Sequence, residues 1–243
     1  MNMDILTRLA HSEATAHARY GHTGETVRFG PLVAVHAGPN LPVDTGWHDG
    51  TRLPTPQELD EFEAFSAKHG QPASLHLLSA FAAAGLPLLT ARGYGLDYLL
   101  HGYVRELTDL PASPAFIVRE EEAGAWAALA ARCFGPGTEE IMSVVAHAPG
   151  TQLFVADVDG TPAATAAQSI TEGIAAFHGT ATLPEFQGRG VQTALLAHRL
   201  NVAAQAGADL ASVFVTPGGG SERNVERAGF RLLGARLTLT RRK

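Results

Sequence analysis

Thr180-Ala181-Thr182-Leu183-Pro184-Glu185-Phe186-Gln187-Gly188-Arg189-Gly190-Val191-Gln192-Thr193-Ala194-Leu195-Leu196 is the stretch that decides how the chain is read. A strand ends in it, a Gly-rich turn follows, and a helix from Gly190 to Ala206 begins, with Val191, Leu195 and Val202 at helical spacing before Gly207 stops it. Glycines at 188 and 190 let the backbone approach a ligand, and the first-turn amides of a helix are unpaired donors at the positive end of its dipole. The stretch therefore predicts an anion nest that a diphosphate fits. Arg189 adds positive charge, and the Thr193 hydroxyl reaches a phosphate from the first turn. Two other phosphate motifs fail: the Lys-Ser or Lys-Thr pair of a P-loop is missing after Gly190, and Thr193 stands where a dinucleotide fingerprint needs its third glycine.

The elements around this turn alternate between strand and helix. Before it, Phe116 to Arg119 reads as a strand, Glu121 to Phe134 as a helix, and Glu139 to Ala148 as a second helix capped by Thr138. Gln152 to Val158 and Ala163 to Thr171 are strands joined through Asp159-Gly160, the dipeptide of a tight hairpin turn. Ile174 to Leu183 follows the turn at Glu172-Gly173. After the helix come a strand at Leu210 to Val215, a short helix capped by Ser221 and closed by Gly229, and two strands within Phe230 to Thr240.

The clearest boundary is Thr108-Asp109-Leu110-Pro111-Ala112-Ser113-Pro114, where two prolines disfavour helix and strand alike. Before it we expect a helix from Ile5 to Tyr20, a strand at Leu32 to His36, and a helix through Lys68 opened by the capping box Thr55-Pro56-Gln57-Glu58. Short strands near Leu75 to Leu77 and Pro87 to Ala91 flank a small helix at Ala80 to Ala84, and Leu96 to Leu107 is a further strand. The junctions at Gly85 and Gly229 echo each other weakly, either as a trace of two related halves or as two ordinary helix ends.

Bulk properties exclude several classes. Of 243 residues, 24 are acidic and 18 basic, so no sequence-wide positive surface exists to hold nucleic acid. No apolar run approaches the roughly 18 residues of a membrane span, and Met1 to Ala10 lack the layout of a secretory signal, so the expectation is a soluble, cytoplasmic chain. A monomer and a homodimer are both compatible with the sequence. No histidine pair has zinc-site spacing with cysteine partners, so no metal is expected. Cys133, the single cysteine, reads as a small core residue on an early helix, remote from the turn. Trp47, His48 and Asp49 fall in a Gly-rich segment that is either an exposed loop or part of a substrate cleft.

The turn resembles the coenzyme A motif of the GNAT superfamily: Gln or Arg, two residues, Gly, one residue, then Gly or Ala, between a strand and a helix. Gln187 and Gly190 match, and Gln192 replaces the small third residue. The resemblance extends over the order of elements from about Phe116 to Thr240 and over Arg227-Ala228-Gly229-Phe230. It implies a mixed α/β fold made of two fused GNAT-like halves, a degenerate one at 1–110 and a working one at 111–243. It also implies acetyl-CoA as cosubstrate and a primary amine as acceptor. By position, pantetheine would pair with Thr180, Ala181 and Thr182. The pyrophosphate would rest on amides of Gln187, Gly188, Arg189, Gly190, Val191, Gln192 and Thr193, and the thioester would lie where the strands at Thr182 and Leu210 splay.

Members commonly place a tyrosine acid where this chain has Val225, and an asparagine where it has Gly218, which leaves Asn224 or Ser221 nearby. His178 is the first candidate base, since alternation puts it on one face with Thr180 and Thr182; the plain alternative is a half-buried strand histidine. Glu172 and Glu185 are weaker candidates, in a turn and in the cofactor loop. The competing functional class is a non-catalytic acyl-CoA-binding or regulatory module.

Overall fold

The computed structural model describes residues 3–112 and 116–242; Ser113 and Pro114 of the expected boundary lie outside the described residues. In chain order the elements are α1 (Met3–His17), a 3-10 turn (Ala18–Thr23), β1 (Glu25–Phe29), β2 (Leu32–His36), β3 (Gly46–His48), α2 (Pro56–Lys68), β4 (Ser74–Leu78), α3 (Ser79–Ala91) and β5 (Tyr94–Glu106). There follow β6 (Ile117–Glu120), α4 (Ala123–Phe134), α5 (Glu139–His147), β7 (Thr151–Val158), β8 (Thr161–Thr171), β9 (Ile174–Thr182), a 3-10 turn (Pro184–Phe186), α6 (Val191–Gln205), β10 (Leu210–Val215), α7 (Gly220–Arg227) and β11 (Arg231–Arg241). The fold class is mixed α/β. Among the described residues no helix is long and apolar enough to cross a membrane.

Residues 1–102 and 233–243 make one compact unit, and 103–232 the other. In the first, strands lie in the order β1-β2-β3-β4-β11-β5. The β3–β4 pair is parallel; β1–β2, β2–β3 and β4–β11 are antiparallel. Leu59 and Phe62 of α2 and Leu89 of α3 pack with Leu75, Leu77 and Leu239 in its core. Thr55 caps α2 as expected, accepting from the Glu58 amide while the Glu58 carboxylate accepts from the Thr55 amide.

Pro87 does not start a strand but sits inside α3, because Ala82, Gly85 and Leu89 bury one continuous face, and that burial outweighs one lost backbone hydrogen bond. The Gly85 half of the internal echo is therefore helix interior, with no junction there. The two closing strands are one, β11, whose residues Arg236 to Thr240 pair with Leu78 to Ser74. Trp47, His48 and Asp49 do not form an exposed loop: the first two lie on β3, Asp49 follows it, all three are buried, and Asp49 accepts from Arg28 (2.7 Å) and the Thr51 hydroxyl (2.6 Å). The Gly50 amide donates to His48 Nδ1, so the proton is on Nε2, which donates to the Arg52 carbonyl at 2.7 Å. Thr138 does not cap α5 with its side chain; its hydroxyl donates to the Gly135 carbonyl at 2.7 Å, closing the turn after α4.

The second unit orders its strands β5-β10-β9-β8-β7-β6. Pairs β6–β7, β7–β8 and β8–β9 are antiparallel, and β9–β10 is parallel. Both hairpin turns follow from local chemistry: Asp159 and Gly160 (φ 52° and 77°) and Glu172 and Gly173 (φ 51° and 77°) take the paired left-handed conformations that match strand twist.

Candidate active site

Two irregularities among the strands of the second unit create the site. Pairing of β9 with β10 runs from Ile174–Leu210 to Phe177–Val213 and stops there. The remaining residues of β9, from His178 to Thr182, therefore border a gap. The second irregularity is a bulge between β8 and β9: Thr165 faces Ala181 and Ala167 faces His178, so Gly179 and Thr180 together oppose Ala166. Gly179 supplies the positive φ of +59°.

The bulge changes the faces expected for β9. Residues paired across antiparallel strands share a face, so His178, opposite Ala167, lies on one face with Thr165 and its partner Ala181. Thr182, opposite Ala164, is on the other face. Simple alternation, which grouped His178 with Thr180 and Thr182, is therefore overturned by one inserted residue.

Side chains from two helices hold this irregular backbone. The Trp126 indole of α4 donates to the carbonyls of Phe154 (3.2 Å) and Ala166 (3.1 Å), a pair that face each other across β7 and β8. Arg199 of α6, 1% exposed, donates to the carbonyls of Ala167 (3.1 Å) and Leu195 (3.3 Å) and lies 4.3 Å from the Phe177 ring centre. Burial without a carboxylate brings its pKa down to about 9.

Beside the gap, the turn into α6 has the expected anion-nest conformation. Gly188 (φ 75°) and Gly190 (φ 86°) are left-handed, and a Cβ at Gly188 would meet open space, so backbone conformation and not crowding demands glycine. Gly190 is the N-cap, and no side chain caps the helix. The turn borders an open cleft of about 610 Å³ lined by Ala181 and Thr182 of β9, Phe186 to Gly188, Gly190 to Thr193, Cys133 of α4, and Gly220, Ser221, Arg223, Asn224 and Arg227 around α7. Thr180, Arg189 and His178 are not among the lining residues. Arg189 turns its guanidinium to Asp159 at 2.9 Å, and Gln187 donates to the Thr182 carbonyl at 3.2 Å.

The far wall explains the unusual Gln192. Its Nε2 donates to Ser221 Oγ at 3.2 Å, and its Oε1 accepts from Asn224 Nδ2, so the side chain leans on α7 and leaves the nest open. Ser221 is accordingly not the cap of α7, which is Gly219. Val225 is 3% exposed, packed with Tyr103, Phe177 and Phe230, and Gly218 is an exposed turn residue whose amide donates to Glu222; neither carries an acid into the cleft.

The structure also brings in residues that sequence reasoning missed. Cys133 lines the cleft instead of lying remote from it, because α4 packs onto β8 and β9. Burial pushes its thiol up to about 11, with Arg132 opposing weakly. Arg223 and Arg227 were legible only as an i, i+4 pair on a short helix, and nothing local assigns such a pair to a cleft.

Comparison with known proteins agrees with this geometry. Residues 112–230 match the acetyltransferase (GNAT) family, whose members take an acyl-CoA and an acceptor. A GCN5-related N-acetyltransferase from Kribbella flavida superposes with TM-score 0.76 at 20% identity, over 98% of this chain and 96% of that one. One from Sphaerobacter thermophilus gives 0.57 at 18% identity, over 82% and 72%. A tandem GNAT protein from the clavulanic acid biosynthesis pathway gives 0.57 at 15%, over 86% and 77%. No curated protein matches the sequence. With its fold, its left-handed glycine turn at an uncapped helix and its parted strands, the segment 112–230 is similar to the GNAT acetyltransferase family whose model it matches.

Proposed function

We propose that the second half, residues 111–243, transfers an acetyl group from acetyl-CoA to a primary amine of a small molecule or peptide by direct attack. The observation that carries this reading is the cleft: a helix start with uncapped amides, beside strands that part after Phe177 and Val213. The residues fit the cosubstrate, since Gln192 is tied to α7 and leaves the amides from Gly188 to Thr193 open to a diphosphate, whereas the Gln187 amide, also expected to contact it, donates to the Pro184 carbonyl at 3.2 Å. Ala181 and Thr182, which line the cleft, and the adjoining Thr180 would offer backbone groups to pantetheine, with Asn224 contributed by α7. A thioester supplies an activated acyl carbon and a leaving group of reference pKa about 8.5, which needs little help from an acid. That tolerance suits the burial of Val225 at the position of the usual tyrosine.

His178 is the proposed base, directly or through water: it is the first β9 residue beyond the last rung shared with β10. The first half, residues 1–110, is a related domain without a cofactor turn, and the setting is cytoplasmic, without nucleic-acid or membrane partners. A non-catalytic acyl-CoA-binding module is the second reading, favoured by Val225 and Gly218 at positions where the family often keeps a tyrosine and an asparagine. Calorimetry with acetyl-CoA, followed by thiol release across amines, amino acids, aminoglycosides and peptides, separates them. Binding with turnover supports the first reading, binding without turnover the second, and no binding by folded protein at millimolar ligand removes both.

A further inference from the structure

The charge in the cleft is distributed unevenly. The chain carries 24 acidic and 18 basic residues, yet the cleft lining contains two arginines, Arg223 and Arg227, and no Asp or Glu. Both come from α7, four residues apart and hence on one face. The carboxylates of the same helix, Glu222 and Glu226, also four apart, are drawn off by the Tyr103 hydroxyl at 3.0 and 2.8 Å. An eight-residue helix is thereby sorted, with its cations toward the cleft and its anions toward β5.

Neither arginine is neutralised. Arg223 Nη1 donates to the Gly218 carbonyl at 3.1 Å and Arg227 Nη1 to Asn224 Oδ1 at 3.2 Å, both uncharged acceptors. Arg189, the cation nearest the diphosphate turn in sequence, is by contrast committed to Asp159. The links from Gln192 to Ser221 and Asn224 fix α7 against the first turn of α6, so the arginines stand at a set distance from the nest amides.

We propose that Arg223 and Arg227 form a second anion subsite that reads the 3′-phosphate of the acyl-CoA nucleotide. This rests on the acyl-CoA reading above. A coenzyme A nucleotide carries two separate anions, a diphosphate and a ribose phosphomonoester with a charge near −2 at neutral pH. Helix amides offer only partial charges and serve the first. The phosphomonoester calls for full cations with fork geometry at a distinct place, which is what two unneutralised guanidinium groups on the facing wall provide.

The test is calorimetry on the full chain with coenzyme A and 3′-dephospho-coenzyme A, in the wild type and in the R223A/R227A variant. The wild type is expected to bind coenzyme A roughly 10-fold tighter than the dephospho form, a gap that narrows with added salt. The variant should hold both ligands about equally, near the wild-type affinity for the dephospho form, which also reports that it is folded. Equal wild-type affinities overturn the proposal, as does a preference that survives in the variant or a variant that loses both ligands to the same extent. If folded wild type binds neither ligand, the acyl-CoA reading falls and this subsite with it.

Discussion

The indole ring of Trp126 lies against Gly179 so closely that a Cβ on residue 179 would come within 2.8 Å of it. The same indole donates at 3.1 Å to the carbonyl of Ala166, the β8 residue that Gly179 and Thr180 together oppose. One side chain on α4 therefore occupies the space behind the bulge and binds the backbone of the strand facing it. The parted end of β9, on which the candidate site depends, is held by that contact.

Gly179→Ala should be strongly destabilising. At φ +59° a Cβ costs roughly 1–2 kcal/mol, and displacing a fully buried Trp126 adds roughly 1–3 kcal/mol. Urea unfolding should show a midpoint lowered to match, with weakened acetyl-CoA binding in what remains folded. An unchanged midpoint would mean that α4 can retreat freely.

His178→Ala should separate chemistry from binding. Loss of a positioned base lowers turnover about 10²-fold or more, while the diphosphate contacts, on a different segment, keep acetyl-CoA affinity within a few-fold. The acid limb of the pH profile should move as well. Wild-type turnover and pH dependence in this variant would leave His178 as a strand residue only.

Acid should destabilise the first unit through buried neutral imidazoles. His17 Nε2 donates to the Thr45 carbonyl at 3.0 Å in a fully buried setting, and that burial brings its pKa from 6.5 down to about 4; burial likewise lowers His76. Between pH 6.5 and 4 the unfolded chain binds a proton that the folded chain refuses, so stability falls as pH drops through that window and is flat above it. For His17 alone the loss approaches roughly 3 kcal/mol at the lower limit. Denaturant midpoints at pH 7.5 and 5 test this: the drop should shrink in His17→Phe, and a midpoint independent of pH would refute it.

These cases also mark what the sequence could express. Asp159-Gly160, Glu172-Gly173 and the Thr55–Glu58 capping box are short-range chemistry, and each element they bound formed where expected. Gln187 to Thr193 was legible for the same reason, since a glycine turn before an amphipathic helix is a local signal. The pairing of β11 with β4 joins residues more than 150 positions apart, and nothing in either strand names the other. The bulge at Gly179 was hidden because it depends on Trp126, 53 positions earlier, and Cys133 was misplaced because helix packing is not written in a helix. Pro87 reads as a breaker by its own chemistry and is overruled only by what α3 buries.

Cys133 lines the cleft, so a thiol stands where an acyl-enzyme would need one, and position alone no longer excludes it. Its ionisation argues against that role: with the thiol pushed up to about 11, roughly one molecule in 10⁴ carries the thiolate at pH 7, and the thiolate is the nucleophile. No lining residue is placed to lower that value, since the lining histidine count is zero and Arg223 and Arg227 belong to the opposite wall. The amine should therefore attack directly. Incubation with acetyl-CoA in the absence of acceptor should leave the intact mass unchanged, and thiol release should start without a burst. Cys133→Ala should show the same single-phase kinetics as the wild type. A stable mass increase of one acetyl group that disappears in Cys133→Ala, together with a burst of one thiol per chain, would replace direct attack with a two-step mechanism.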